Sequence, residues 1–370
     1  MSVFPNSLKE IRHTLHQKAE PSGQEYETLK YILRQLDLCA PAKVHTFGDS
    51  CHILAVFDSG EEGPTLLFRG DIDVPYASLT PGVSHKCGHD GHATILLGLA
   101  EQLHLHPVRK GRVLLFFQAA EETGQGAANF LNTDVLSEYQ PDKVFALHNI
   151  PGVEMGSVIC RPDSFTCSVI SCDIELHGRT SHAAEPLKAI SPYPAAKTIV
   201  DKLLALNQYD MAQNDFRLLT LVEFRIGEQA YGVTAGHGVL RFTLRAKNDE
   251  LLQKTKQSLC EIVDETVAHT EGITSKIEWK EYFAASKNQI EAVRQIRQAA
   301  KMCGLPYIEK EVPFSWGEDF GLLTQHYEGA LFGLGSGINQ PSLHHQLFDF
   351  PDDLVPIGVK LFYSIIEQNN

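Results

Sequence analysis

Basic residues are the minority charge. The 370-residue chain carries 32 Lys and Arg against 46 Asp and Glu, a formal net charge of −14. Nucleic acids and anionic membranes select a basic footprint, so neither is an expected partner. Also missing is any apolar run near the roughly 20 residues that cross a bilayer, which argues against a helical membrane span. The stretch Met1-Ser2-Val3-Phe4-Pro5-Asn6 has no basic residue and no apolar segment, so no secretory signal is expected. The eight cysteines (Cys39, Cys51, Cys87, Cys160, Cys167, Cys172, Cys260, Cys303) form no CxxC pair and no dense framework. Reduced thiols in a cytoplasmic protein are the expectation. Internal repeats and low-complexity linkers are absent as well.

What is present fits a globular chain long enough for two domains, with 43% hydrophobic and 21% charged residues. Residues 7–38 show helical periodicity, broken at Pro21-Ser22-Gly23. Apolar runs at Ile53–Phe57, Thr65–Phe68, Val113–Phe117 and Val144–Leu147 read as strands, with a helix at Ala93–Leu103. That alternation predicts an α/β sheet covered on both faces. From about Phe165 the pattern changes to strand, helix, strand, strand, helix, strand: Val169–Leu176, Ala195–Leu206, Leu218–Phe224, Val239–Leu244, Leu251–Val267 and Lys276–Tyr282. This is the ferredoxin-like order, an inserted α+β domain over 165–283. Residues 1–164 and 284–370 then make one discontinuous α/β domain, resumed by a helix at Gln289–Met302.

The ends of the first-domain strands carry the chemistry. Thr65–Phe68 runs into Arg69-Gly70-Asp71-Ile72-Asp73, Val113–Phe117 into Gln118-Ala119-Ala120-Glu121-Glu122, and Val144–Leu147 into His148-Asn149. Ala330–Leu334 leads through Gly335-Ser336-Gly337 towards His344-His345. Ligands of open α/β sheets gather at the carboxyl ends of strands. Between them lies Cys87-Gly88-His89-Asp90-Gly91-His92, a thiol, two imidazoles and a carboxylate within six residues. Cys87, His89, Glu122, His148 and one of His344 or His345 exceed a closed four-coordinate site but suit two adjacent ions with open positions. Two such ions lower the pKa of a water and polarise a carbonyl. A thiolate held deprotonated by metal is a ligand, not a nucleophile. Glu121, beside a ligand carboxylate, is placed to take a proton from water and return it to a leaving nitrogen.

With these residues the chain resembles the peptidase M20 family, in its amidohydrolase branch of hippurate hydrolase-like enzymes. The similarity runs nearly end to end. It takes in Leu15-His16, Pro21-Ser22-Gly23-Gln24-Glu25, Thr28, Arg69-Gly70-Asp71-Ile72-Asp73, Lys86 through His92 and Gln118 through Glu122. It continues with Leu147 through Pro151, Glu318-Asp319-Phe320, Leu343-His344 and Phe348-Asp349-Phe350. The resemblance implies a dinuclear metallohydrolase, with zinc or manganese, cobalt or nickel, that cleaves the amide of N-acyl amino acids or similar conjugates. It implies Cys87, His89, Glu122, His148 and His344 as metal ligands and Glu121 as general base and acid. Asp73 takes the place of an aspartate that orients a ligand, while Asp90 and His92 are expected to shape the turn and cap the following helix. The inserted domain resembles a lid that also forms a homodimer. Its His182 matches a histidine that steadies an oxyanion, in cis or across the dimer, and Arg245 matches a substrate-carboxylate contact.

Three departures bear on substrate recognition. An Asn-Val-Ile-Pro-Asp segment usual in this branch is Gly232-Val233-Thr234-Ala235-Gly236 here, Leu187 replaces a second lid histidine, and Val74-Pro75-Tyr76 is one residue short. The competing readings are a dipeptidase or aminopeptidase using the same centre, and a catalytically silent metabolite binder.

Overall fold

The computed structural model describes residues 2–48, 50–74 and 83–369. Pro75 and Tyr76, in the segment read as one residue short, lie outside them. The chain divides into two compact units: Met1–Phe165 with Ser286–Glu311 and Glu318–Asn370, and Thr166–Ala285 with Val312–Gly317. Among the described residues no helix is long and apolar enough to cross a membrane.

The first unit is built on an eight-stranded mixed sheet. Its four central strands are mutually parallel: Arg112–Gln118, Thr65–Asp71, Lys143–Ile150 and Glu328–Gly335, in that spatial order. Each is buried along nearly its whole length, as parallel strands covered on both faces must be. Helices Leu8–Gln17, His89–Leu105, Ile290–Cys303 and Leu354–Glu367 contribute to one continuous core with these strands. Ser7 starts the first of them with a reciprocal cap, its side chain on Glu10 N and Glu10 on its own N–H. Elsewhere the Phe116 and Phe130 rings stack with centroids 3.7 Å apart, fixing the short helix Gly126–Leu131 to the sheet.

The second unit is a four-stranded antiparallel sheet in the order Thr274–Phe283, Ser168–His177, His237–Ala246, Arg217–Ile226. Helices Tyr193–Leu204 and Asp249–Ala268 pack their apolar stripes on Ile170, Cys172, Ile174, Leu176, Leu240, Phe242 and Leu244. The alternate residues of those strands face away from the helices. Val312–Gly317 groups with this unit although it lies far along the chain. The N–H of Cys167 is donated to the Phe314 and Trp316 carbonyls, which ties the segment to the start of the sheet.

Candidate metal centre

All four parallel strands of the first unit point their carboxyl ends the same way, so the loops that follow them converge. His89 opens the helix His89–Leu105, with Gly88 at its N-cap in the left-handed region (φ 101°). A β-carbon on Gly88 would fall 2.6 Å from Asn149 Oδ1, and one on Gly91 would fall 2.4 Å from the Phe350 ring. Glycine therefore lets the helix start press against Asn149 and Phe350, which puts Cys87 and His89 beside the other strand ends. The 344 loop is stitched on by His344 N donating to Lys86 O (2.7 Å) and Lys86 Nζ donating to Phe348 O (2.8 Å). His344 itself adopts φ 64°.

Cys87 belongs to two donor sets. Cys87, His89 and His148 form one, and Cys87, Glu122 and His344 the other, with the ligand atoms of each set within 4.8 Å of one another. The sulfur lies 3.5 Å from His148 Nε2, while Glu122 Oε1 lies 3.8 Å from His89 Nε2 and 3.6 Å from His344 Nε2. A soft thiolate shared by two sets of nitrogen and oxygen donors fits a pair of divalent transition ions. The buried atoms His89 Nε2 and Glu122 Oε1 have no hydrogen-bond partner among the described residues. Orphaned groups of this kind are costly unless something outside the chain satisfies them, and a metal would.

Neighbouring groups set the ring orientations. His89 Nδ1 donates to Asp73 O at 2.9 Å and lies 3.3 Å from Asp73 Oδ1, leaving Nε2 to the centre. Asp73 Oδ2 in turn accepts from Ser22 Oγ (2.6 Å) and the Glu122 N–H (2.9 Å). His148 Nδ1 meets the Asn149 carbonyl at 2.9 Å, which turns its Nε2 to Cys87. Burial holds the His148 imidazole neutral, well below the ordinary histidine range, the state that binds metal. The neighbouring Cys87 and Glu122 raise His344 to about 10, so a metal would compete with its proton.

Glu121 is only 5% exposed. Burial, then the charges of Glu318, Glu122 and Asp319, push its carboxyl well above the ordinary range. Glu121-Glu122 alone could also pass for a solvated helix start. Instead both residues sit in a turn, and the next helix begins at Gly126.

One layer of the site had no role in the sequence reading. Arg69, wholly buried in the strand Thr65–Asp71, donates to Gln118 Oε1 (2.9 Å), Asp71 Oδ2 (2.7 Å), Glu318 Oε1 (2.9 Å) and Asp319 Oδ1 (3.1 Å). Burial raises Asp319 to about 7 even though Arg69 opposes the shift. The available signal was an arginine directly after the apolar run Leu66–Phe68, in a strand buried at every position.

His345 turns away, its Nδ1 accepting from Leu347 N at 3.1 Å. Asp90 and His92 are not helix caps, because the helix starts at Gly88 and both lie inside its first turn. Asp90 Oδ2 binds Arg12 (2.9 Å) and His16 (2.8 Å), and His92 bridges Asp71 Oδ1 (2.6 Å) and Asn149 Oδ1 (2.7 Å). His182 and Arg245 belong to the second unit. His182 is exposed, its backbone bridged to Val233 and its Nδ1 accepting from Ala184 N, while Arg245 Nη1 donates to Ser315 O at 3.0 Å.

Known proteins share this architecture. An N-acetyldiaminopimelate deacetylase of Bacillus velezensis is 28% identical over 385 aligned positions, covering 97% of each chain. An N-acetyl-L-cysteine deacetylase of Bacillus subtilis is 28% identical, covering 100% of this chain and 88% of its own. The crystal structure of a dinuclear metal binding peptidase of the M20 family from Bacillus subtilis superposes with a TM-score of 0.79 at 22% identity, over 97% of this chain and 96% of that one. The family model described as peptidase family M20/M25/M40 matches residues 55–368, and this chain belongs to that family.

Proposed function

We propose that this chain is a metal-dependent amidohydrolase that cleaves N-acyl amino acids, or closely related small conjugates, to a carboxylate and a free amine. The observation that carries the reading is Cys87 shared between two donor sets, with the buried carboxyl of Glu121 beside them. Cys87, His89, Glu122, His148 and His344 hold two divalent ions. The thiolate favours zinc, and the mixed donor set accommodates manganese, cobalt or nickel. When bound, the ions supply Lewis acidity toward a carbonyl oxygen and toward water.

The chain's own residues handle the protons. Glu121, with its raised pKa, accepts a proton from the attacking water and delivers it to the amide nitrogen as that nitrogen leaves. Asp73 keeps the His89 ring in register. The deacetylase names of the two Bacillus relatives support small N-acyl substrates. By resemblance, His182 serves as a hydrogen-bond donor to the developing oxyanion and Arg245 as a carboxylate contact. Residues 165–283 serve as a lid and homodimer contact, which sedimentation of the full chain tests.

The deciding experiment is free-amine release from a panel of N-acyl amino acids and unacylated dipeptides, with protein loaded with zinc or manganese. Cleavage confined to the acylated compounds is the expected result. Preference for dipeptides would move the assignment to a dipeptidase. Silence on both, with metal bound, would favour the metabolite-binding reading.

A further inference from the structure

We propose a second, separate metal site on the open face of the four-stranded sheet, formed by Glu175, His177 and His237. The strand pleat brings these residues together. Ile174 and Leu176 point into the helix-covered core, so Glu175 and His177 stand two residues apart on the other face. His237 lies directly opposite His177 in the antiparallel register, which puts its side chain on that same face.

The side chains converge as the backbone requires. One ligand atom from each of the three lies within 4.8 Å of the others. Glu175 Oε2 is 3.3 Å from His177 Nε2, and the two imidazole centroids are 5.0 Å apart. Glu175 also faces Lys276 across the neighbouring strand, a cation that competes for its carboxylate. Two imidazoles and a carboxylate are a recurrent three-protein-ligand set for zinc, with a fourth position left to water. The histidine side chains are accessible, His177 being 46% exposed, so small rotations bring all three donors to one ion without disturbing the core. Such a site binds zinc reversibly and exchanges it with the medium. It uses none of the residues assigned to the catalytic centre.

The test is zinc titration of the full-length protein by calorimetry, comparing wild type with His237→Ala and Glu175→Gln. Because the readout is a difference between proteins, it does not depend on how completely the first-unit centre is filled. Wild type is expected to take up one more equivalent of Zn²⁺ than His237→Ala, and Glu175→Gln to bind that equivalent at least tenfold more weakly. In parallel, zinc is expected to slow diethyl pyrocarbonate modification of His177 and His237, read by peptide mass mapping. Equal stoichiometry in wild type and His237→Ala, or modification at His177 and His237 that zinc leaves unchanged, would overturn the site.

Discussion

Glu25 accepts the backbone N–H of Ala120 at 2.9 Å, one residue before Glu121. The same carboxylate oxygen accepts the Gly23 N–H at 2.7 Å, and the side chain is wholly buried. Ala120 sits at φ 56°, a left-handed conformation that costs a residue with a β-carbon about 1–2 kcal/mol. Such strain persists only where surrounding contacts over-determine it. Glu25 is one of those contacts, and it sets the turn that aims Glu121. Glu25→Ala is therefore expected to lower kcat more than tenfold with little change in KM or metal content, and Glu25→Gln, which keeps an acceptor oxygen, to recover most of the loss. Equal losses in kcat and bound metal would assign Glu25 to holding the ions.

Glu121→Gln removes the proton carrier but keeps the shape of the side chain. General acid–base catalysis is worth roughly 10²–10⁴-fold, so turnover is expected to fall by at least a hundredfold. Metal content, read by elemental analysis, is expected to stay the same. Parallel loss of metal would make Glu121 a ligand and return the proton-transfer role to another group.

The Arg69 cluster predicts a stability effect. Replacing Arg69 with Met leaves Asp71, Glu318 and Asp319 buried without their shared cation. Breaking a buried pair in this one-sided way costs about 3–5 kcal/mol. Arg69→Lys is expected to fall between, because a lysine ammonium cannot reproduce the planar fork that reaches three carboxylates and Gln118. Urea midpoints for the two variants decide the point, and a wild-type midpoint for Arg69→Met would remove the cluster from the stability argument.

How much of this was legible in the sequence depended on whether the signal was local. Thr65–Phe68 and Val113–Phe117 announced themselves because strands buried on both faces must be apolar throughout, and both lie within observed strands. Cys87 through His92 and Glu121-Glu122 drew notice for the same reason, chemistry packed into a few residues. The strands Val158–Cys160 and Tyr307–Glu309 went unread because three residues carry no periodicity. Val312–Gly317 is held to the second unit by Cys167 backbone bonds that no pattern encodes. The caps expected of Asp90 and His92 failed because Gly88 starts the helix, freeing both for longer-range partners. Arg69 to Glu318 spans 249 residues, a pairing that only the fold brings together.

His52 predicts how stability depends on acid. It is 1% exposed, its Nδ1 accepts the Ala119 N–H at 3.0 Å, and burial pulls its pKa down to about 4. An unfolded histidine titrates near 6.5, so between pH 6.5 and 4 the unfolded chain holds a proton that the folded chain does not. Stability is therefore fully present above pH 6.5 and falls as the pH drops through that window, by up to roughly 3 kcal/mol from this residue. His85, lowered to about 4 by its own burial, steepens the wild-type curve in the same direction. His52→Asn removes the titrating group while offering an oxygen to the Ala119 N–H. Its unfolding free energy is expected to fall less steeply than that of wild type between pH 6.5 and 4, and to differ by a constant above pH 6.5. Denaturant curves at pH 7.5, 5.5 and 4.5 make the comparison. Parallel pH dependences would mean that His52 is protonated in the folded protein, and the Ala119 N–H would then need another acceptor.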